Sequence, residues 1–213
     1  MTEPDIPHAE PELGKVAVIY TSPETVIDDY ARLLDLANYN SALTADLKTF
    51  LKVNTSWQHY YPACSTAPWQ LEGVARKLGD DGFDKLTAAH NGTVVVDPHE
   101  GRERNKHKVV EDRLGLDHLV LDEPPVEWIS YKPTAKMLVL DDVYPDGLYI
   151  PKVFPGTNIV HLPTMKTHVF TTMTGAMKNA FGGLLHRKRH WTHSVIHETL
   201  TDLLAIQKEI HPG

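Results

Sequence analysis

The residues best able to do chemistry are concentrated near the carboxyl end of the chain. Residues 161–193 contain five histidines and three lysines. Near neutral pH an imidazole binds a transition metal or transfers a proton, and a lysine ammonium group binds an anion. Core packing does not require such a concentration of polar side chains. We therefore expect this segment to form most of a functional site.

Within this segment, residues 174–183 predict a short helix, with Thr174 as its cap and Gly182 and Gly183 as its end. The free backbone N–H groups at the start of a helix attract anions. Lys166 and Lys178 would add positive charge there, so a carboxylate or phosphate would fit. The alternative is that Lys178 lies on a solvent-exposed helix face and the glycines only end the helix.

Several histidines are candidate metal ligands. On one continuous helix, spacings of four, three and four residues would place four of them on one face: His186, His190, His193 and His197. However, the glycines and the basic run at residues 187–189 predict a loop before the carboxyl-terminal helix, which is predicted over residues 192–210. His197 falls at the border of the apolar face of that helix, so its role and that of His186 stay open. The preferred ligands, for Fe, Ni or Zn, are His168, His190 and His193.

Composition narrows the class of protein. The chain has 213 residues, 41% of them hydrophobic. This suffices for the core of one α/β domain, expected over residues 14–213 after a flexible acidic tail at 1–13. A formal net charge of −7 argues against a nucleic-acid partner. Because no apolar run approaches the ~20 residues that cross a membrane and no signal-peptide pattern is seen, we expect a cytoplasmic protein, with a homo-oligomer left open.

The hydrophobic pattern predicts alternating strands and helices. Short apolar runs predict strands at residues 16–20, 49–53, 93–97, 118–121, 137–140 and 158–162. Helices are predicted from the start signal Ser22-Pro23 through Leu34, over 69–78, over 109–114 and at the carboxyl end. This alternation favours an α/β domain with a mostly parallel sheet flanked by helices.

Three polar loops follow predicted strands, at residues 54–56, 97–99 and 163–168. The carboxyl ends of parallel strands lie at one edge of a sheet, where ligands gather. Lys52 and Asn54 should therefore lie beside Lys166 and His168.

Two motifs in the histidine-rich segment resemble the DUF362 family, a domain family named for its unknown function. Residues 162–168 read Leu-Pro-Thr-Met-Lys-Thr-His, and residues 174–182 show the pattern Thr-Gly-x-x-Lys-Asn-x-x-Gly, followed later by His190. Upstream, Lys52-Val53-Asn54 stands where the family has Lys-Pro-Asn. The resemblance implies a fold and a site around these motifs, without a reaction. Some members carry a ferredoxin-like cysteine cluster, and this chain has only Cys64.

The chain also shows a more distant similarity to the amino-terminal domain of nickel-pincer lactate racemases. In those enzymes a histidine is followed by a lysine that holds the cofactor, and then by a metal-binding histidine. His168, Lys178 and His193 have this order and approximate spacing. The similarity implies a metallocofactor, although the chain is much shorter than such an enzyme.

The leading hypothesis is a metal- or metallocofactor-dependent enzyme that acts on a small anionic substrate such as a carboxylate, in an isomerase, lyase or redox reaction. The predicted catalytic residues are His168, Lys166 and Lys178. The predicted substrate-binding residues are Lys52, Asn54, Thr174, Asn179 and Arg187. Imidazole would bind the metal or transfer a proton, and a lysine would bind the substrate's charge or form a covalent link. Two alternatives stay open: a non-catalytic carrier of an anion or cofactor, and a redox protein whose iron–sulfur cluster is completed by Cys64 across a subunit interface.

Overall fold

The structure, a computed structural model, describes residues 16–93, 95–185 and 187–212, with only the backbone of Arg187. Its elements in chain order are α1 (Val26–Leu36), β1 (Thr49–Val53), α2 (Pro68–Asp80), β2 (Leu86–His90), α3 (Pro98–Arg104), α4 (His107–Leu114), β3 (Asp117–Val120), β4 (Trp128–Tyr131), α5 (Leu140–Val143), β5 (Leu148–Pro151), β6 (Asn158–Leu162), β7 (Lys166–His168), β8 (Thr172–Thr174), α6 (Ala176–Leu184) and α7 (Ile196–Ile210). Short 3-10 helices cover Tyr39–Ser41 and Arg187–Val195.

A four-stranded parallel sheet forms the centre of the fold, in the order β3-β2-β1-β6. Thr49 at the start of β1 lies opposite Leu86 of β2 and Asn158 of β6. The predicted α/β fold is confirmed, with β1 and β6 at their predicted positions and β3 shifted by one residue. Because the four strands run in one direction, their carboxyl ends share one edge of the sheet.

Side chains alternate along β1, so the sheet separates two apolar clusters. Phe50 belongs to the cluster formed with α6, α7 and the antiparallel β4–β5 hairpin. Leu51 and Val53 belong to the cluster formed with α1, α2 and α4. Lys52 alternates with Leu51 and Val53, so this buried lysine lies on the same face as Phe50.

A short antiparallel hairpin, β7–β8, follows β6 at the carboxyl edge. Its pairs join Lys166 to Thr174 and His168 to Thr172. Residues 166–168, expected in a loop, form a strand here because the second strand satisfies their backbone hydrogen bonds. The hairpin thereby places the two motifs of the histidine-rich segment side by side, just before α6.

The strand predicted at residues 16–20 is wrong. These residues have no regular secondary structure and are not part of a sheet. Val16, Val18 and Tyr20 are 83%, 69% and 97% exposed. An apolar run becomes a strand only when another strand pairs with its backbone groups, and none of the described strands does so here.

The strand predicted at residues 137–140 is also wrong, since this segment bends and leads into α5. Its backbone N–H groups bind a side chain instead of a neighbouring strand. The carboxylate of Asp202 in α7 accepts hydrogen bonds from the N–H groups of Leu138, Val139 and Leu140 at 2.8 to 3.1 Å.

The strand predicted at residues 93–97 is wrong as well. Its described residues, which do not include Val94, form no strand. The strand beside β1 is instead β2, whose sequence Leu-Thr-Ala-Ala-His has few of the β-branched and aromatic residues that favour strands. The loop predicted at 97–99 begins α3, where Oδ1 of Asp97 accepts a hydrogen bond from the N–H of Glu100 at 2.8 Å.

The helices near the carboxyl end differ from prediction at their ends. α6 follows Gly175 without a side-chain cap from Thr174, and it continues through Gly182 and Gly183. α7 begins only at Ile196, after the 3-10 helix. As expected, the histidines do not share one face, because His190 and His193 lie in the 3-10 helix and His197 lies in α7.

Two predictions concern residues outside the described part of the chain: the flexible tail at 1–13 and the role of His186. Among the helices that are described, none is both long enough and apolar enough to cross a membrane.

Candidate functional site

A cavity of about 720 Å³ opens at the carboxyl edge of the sheet. It lies among the loops after β1, β2 and β3, the β7–β8 hairpin, α6 and the 3-10 helix Arg187–Val195. Of the ten residues predicted for the site, nine line it: Lys52, Asn54, Lys166, His168, Thr174, Lys178, Asn179, His190 and His193. The side chain of the tenth, Arg187, is outside the described structure. Folding thus brings the end of β1 to the histidine-rich segment.

Lys52 lines the cavity although it is only 2% exposed. Its Nζ donates a hydrogen bond to the carbonyl of Val53 at 3.0 Å. Burial, followed by the positive charge of Arg189, lowers the pKa of Lys52 to about 7. Near neutral pH this amine is therefore a mixture of charged and neutral forms, and the neutral form can accept a proton.

Gly182 and Gly183 give the cavity side chains room to pack against α6. A Cβ at Gly183 would lie 2.8 Å from Cε of Lys52 and 2.8 Å from Cδ1 of Leu121. A Cβ at Gly182 would lie 2.6 Å from Oδ1 of Asn91. Contacts this short do not occur in real structures, so these glycines, expected to end the helix, instead let Lys52 and Asn91 approach its side.

Lys166 is held in place by two oxygen atoms at the edge of the cavity. Its Nζ donates to Oδ1 of Asn54 at 2.8 Å and to the carbonyl of Cys64 at 2.5 Å. Burial lowers the pKa of Lys166. The predicted contact between the β1 edge and the Lys-Thr-His motif is thus a direct hydrogen bond, and Cys64 takes part through its backbone.

Lys178, on the first turn of α6, adds a third ammonium group. Burial, and then the charges of Arg189 and Lys166, lower the pKa of Lys178 to about 8. Its Nζ lies 4.2 Å from the ring centroid of Phe181. Within residues 16–93, 95–185 and 187–212, none of Lys52, Lys166 and Lys178 forms an ion pair with a carboxylate.

Three buried polar atoms of cavity residues have no hydrogen-bond partner in the described structure. They are Oγ1 of Thr55, Oγ1 of Thr174 and Oδ1 of Asn179, in residues that are 3% to 6% exposed. The amide nitrogen of Asn179 donates to the carbonyl of Lys52 at 2.7 Å, which fixes the orientation of this side chain. A buried polar atom without a partner is costly, so these atoms are suited to hydrogen-bond a bound molecule.

The hydrogen bonds of His168 indicate where its proton lies. Its Nδ1 accepts hydrogen bonds from the backbone N–H groups of Phe170 and Thr171 at 3.2 and 3.3 Å. A neutral ring that accepts at Nδ1 carries its proton on Nε2. Burial and the charge of Lys178 lower the pKa of His168, which favours this neutral form. His168 is therefore arranged to donate a hydrogen bond from Nε2.

His193 forms an aromatic wall together with two phenylalanines. Its ring centroid lies 4.5 Å from that of Phe170, with an interplanar angle of 12°, and 5.8 Å from that of Phe181, with an angle of 26°. Burial and the charge of Lys178 lower the pKa of His193. His190 lines the same cavity but is exposed.

Further cavity residues were not expected from the sequence. Arg189 donates from a guanidinium nitrogen to the carbonyl of Gly92 at 2.5 Å, and the N–H of Gly92 donates to Oδ1 of Asp122 at 2.9 Å. Asp122 directly follows a correctly predicted strand, so the rule about carboxyl ends could have found it. Asn91 and Gly92 follow β2, and missing that strand hid them.

The motifs that resemble DUF362 all contribute to this one cavity: the end of β1, the β7–β8 hairpin and α6. The sequence pattern of the DUF362 family, described as a domain of unknown function, matches residues 49–211. The chain belongs to this family. The match begins with β1 and extends just past α7, so the whole sheet and the cavity are part of the DUF362 domain. No curated protein and no protein of known structure matches the chain, and the similarity to lactate racemases is not shown.

The predicted metal ligands of the DUF362 domain share a cavity without forming a coordinating group. Among the described residues, no three or more His, Cys, Asp or Glu side chains are placed to hold a metal ion. His168 already accepts at Nδ1 and carries its proton on Nε2, whereas a metal needs an unprotonated ring nitrogen. In this protonation state His168 offers no free ring nitrogen to a metal.

Proposed function

We propose that this DUF362 domain is an enzyme that binds a carboxylate-type anion in the cavity and catalyses a proton transfer on it, as in an isomerase or lyase reaction. The observation that carries the proposal is the convergence of Lys52, Lys166 and Lys178 on one cavity, without a carboxylate partner among the described residues. Like charges gathered in a partly buried site repel one another, and a bound anion would relieve this repulsion.

The lowered pKa values of the lysines support the same proposal. The pKa is about 7 for Lys52 and about 8 for Lys178. Groups with such shifts in a cleft are frequent at catalytic sites. An anion bound by Lys178 stabilises the charged form of this amine, so its binding should raise the pKa of Lys178 and take up protons from solution near pH 8.

Each side chain then has a distinct role. Lys166 and Lys178 bind the carboxylate of the substrate by charge. The neutral amine of Lys52 accepts the proton that leaves the carbon next to this carboxylate. Nε2–H of His168 donates to the oxygen on which negative charge develops.

Anion binding is tested first by isothermal titration calorimetry with succinate as the probe. The wild type should bind succinate and take up protons at pH 8, which is measured in buffers of different ionisation enthalpy. Lys178→Met should weaken binding about ten-fold, a loss of roughly 1.4 kcal/mol. Lys132→Met, which removes an exposed lysine outside the cavity, is the matched control and should bind as the wild type does. Wild-type protein that binds neither succinate nor phosphate would contradict the proposal.

Proton transfer is tested by nuclear magnetic resonance in D2O. A panel of hydroxy and keto acids is incubated with the protein, and loss of the proton signal next to the carboxylate is followed. Exchange should disappear in Lys52→Met and persist in Lys132→Met, which lies outside the cavity. Binding without exchange of any acid would favour a non-catalytic anion carrier.

A metallocofactor is a second candidate, favoured by the placement of His168, His190 and His193 around one cavity. Fe, Ni or Zn bound there would add Lewis-acid or redox chemistry. Elemental analysis of protein purified without a histidine tag should then find near-stoichiometric metal in the wild type and little in His193→Gln. Metal-free protein that also takes up none of these ions would leave the lysine mechanism alone.

A further inference from the structure

The aromatic wall of the cavity offers a surface to a flat ligand. Phe170 lines the cavity, and 48% of it is exposed. Its ring is nearly parallel to that of His193, which holds it at a centroid distance of 4.5 Å. Phe181 lines the cavity behind them and is 5% exposed. An apolar ring that is accessible and already oriented is a platform on which a planar group can stack.

The positive charge of the cavity exceeds what one carboxylate would balance. Lys52, Lys166 and Lys178 are unpaired with carboxylates in the described residues, and Arg189 lines the same space. Asp122 and Glu123 also line it, and Glu123 lies 2.8 Å from Nε2 of His99. Lys52 is only partly charged near neutral pH, so the four basic groups exceed these two acidic groups by between one and two positive charges. A ligand with two negative charges would balance them.

The size of the cavity points in the same direction. A volume of about 720 Å³ falls in the range of roughly 300–1,000 Å³ that holds drug-sized ligands. An acid of three or four carbons would occupy a small part of this space.

We propose that the ligand of this cavity is a planar, conjugated compound with two negative charges, whose flat body stacks on Phe170 while its anionic groups bind Lys166, Lys178 and Arg189. This inference rests on the proposed function, since it specifies the class of anion. The negative charges belong to carboxylates or to a phosphate, which these lysines bind by the same attraction.

The test compares four probes by isothermal titration calorimetry at pH 7. Naphthalene dicarboxylate is planar with two charges, naphthoate is planar with one, and succinate has two charges without a ring. Naphthyl phosphate is planar and carries its charge on a phosphate. Naphthalene dicarboxylate should bind about ten-fold more tightly than succinate, as expected for one aromatic contact, and about ten-fold more tightly than naphthoate. The affinity of naphthyl phosphate relative to the dicarboxylate tells which anionic group the lysines prefer.

Two variants separate stacking from charge. Phe170→Ala keeps the backbone N–H that His168 accepts. It should weaken both naphthalene carboxylates about ten-fold and leave succinate unchanged. Phe170→Trp should restore the affinity. Tyr20→Ala removes an aromatic ring that is 97% exposed and outside the cavity, and it should change nothing.

The possible failures are distinguishable. If succinate binds as tightly as naphthalene dicarboxylate, or if Phe170→Ala weakens all probes equally, the planar ligand class is wrong while the anion site stands. If naphthoate binds as tightly as the dicarboxylate, the proposal that the ligand carries two charges is wrong. If neither these probes nor inorganic phosphate binds to folded wild-type protein, the proposed function fails as well.

Discussion

The two faces of the central sheet differ in whether their buried charged side chains form ion pairs. On the face covered by α2 and α4, Glu111 is 2% exposed and pairs with Arg102 at 2.5 Å, and Glu72 pairs with Arg76 and Arg113. On the face covered by α6 and α7, Lys52 is equally buried and has no such partner among the described residues. The first face balances its charges within the fold. The second leaves positive charge beside a cavity, where a ligand can balance it.

The largest change in stability should come from removing the buried ion pair between Glu111 and Arg102 on the first face. Glu111→Ala leaves the guanidinium of Arg102, whose side chain is 19% exposed, without its partner. We expect the free energy of unfolding to fall by about 3 kcal/mol, measured by urea unfolding. The control is Lys108→Ala, which breaks the exposed pair with Asp112 on the same helix and should cost less than about 0.5 kcal/mol. Equal effects would mean that burial does not distinguish the two pairs.

Lys52→Met tests the second face, because it removes a buried amine that forms no ion pair among the described residues. Lys52 has a pKa of about 7 in the folded protein, near Arg189, Asp122 and Lys178, whereas an unfolded lysine titrates near 10.4. Between these values the unfolded chain binds more protons, so stability rises with pH. Relative to Lys52→Met, the wild type should gain about 2 kcal/mol from pH 7 to pH 9 in urea unfolding. A difference that does not vary with pH would contradict the lowered pKa.

The packing around Lys52 can be tested with two glycines. Gly183→Ala would bring a Cβ to 2.8 Å from Lys52 and Leu121 and should lower the free energy of unfolding by about 1.5 kcal/mol. Gly79→Ala in α2 is the matched control, because a Cβ there meets nothing within 4 Å. That change should raise stability by about 0.5 kcal/mol, since alanine favours helix more than glycine does. Opposite signs in thermal unfolding are the expected result.

The smallest effect concerns a histidine pair on the first face. Nε2 of His90 lies 2.7 Å from Nε2 of His118, and burial, then the charge of Arg102, lowers the pKa of His118 to about 4. An unfolded histidine titrates near 6.5, so the stability that neutral His118 contributes is lost as pH falls from 6.5 toward 4. Because His118 is partly exposed, we expect this to cost about 1 kcal/mol between pH 7 and pH 5. His118→Gln should lose less over this interval, and an equal loss would assign the acid sensitivity elsewhere.

The accuracy of sequence prediction differed between elements for physical reasons. β1 and β6 were predicted correctly because most of their residues are apolar, and in the sheet the two strands pair with each other. Residues 16–20 show a similar run, yet they remain exposed, since a local pattern does not reveal whether a strand partner exists. β2 escaped prediction because its alanines favour strands only weakly, although they fit between β1 and β3, where they are fully buried.

The same distinction applies to the candidate site. The residues of segment 161–193 were found because their types are unusual for a core, and Lys52 and Asn54 because they end a recognisable strand. Asn91, Gly92 and the stacking of Phe170 on His193 were not found. These depend on which loops meet in space, and sequence spacing carries no such information when the intervening strand is not recognised.

The sequence by itself determined the family, the parallel α/β class and nine of the residues that line the cavity. These follow from local properties, namely apolar runs, glycine positions and a concentration of lysine and histidine. Only the tertiary structure decided that Lys52 is buried away from water and forms no ion pair with a carboxylate among the described residues. It also decided that His168 carries its proton on Nε2, and that the glycines of α6 make room for neighbouring side chains instead of ending the helix. Protonation and packing depend on neighbours in space, and the fold brings those neighbours from distant parts of the chain.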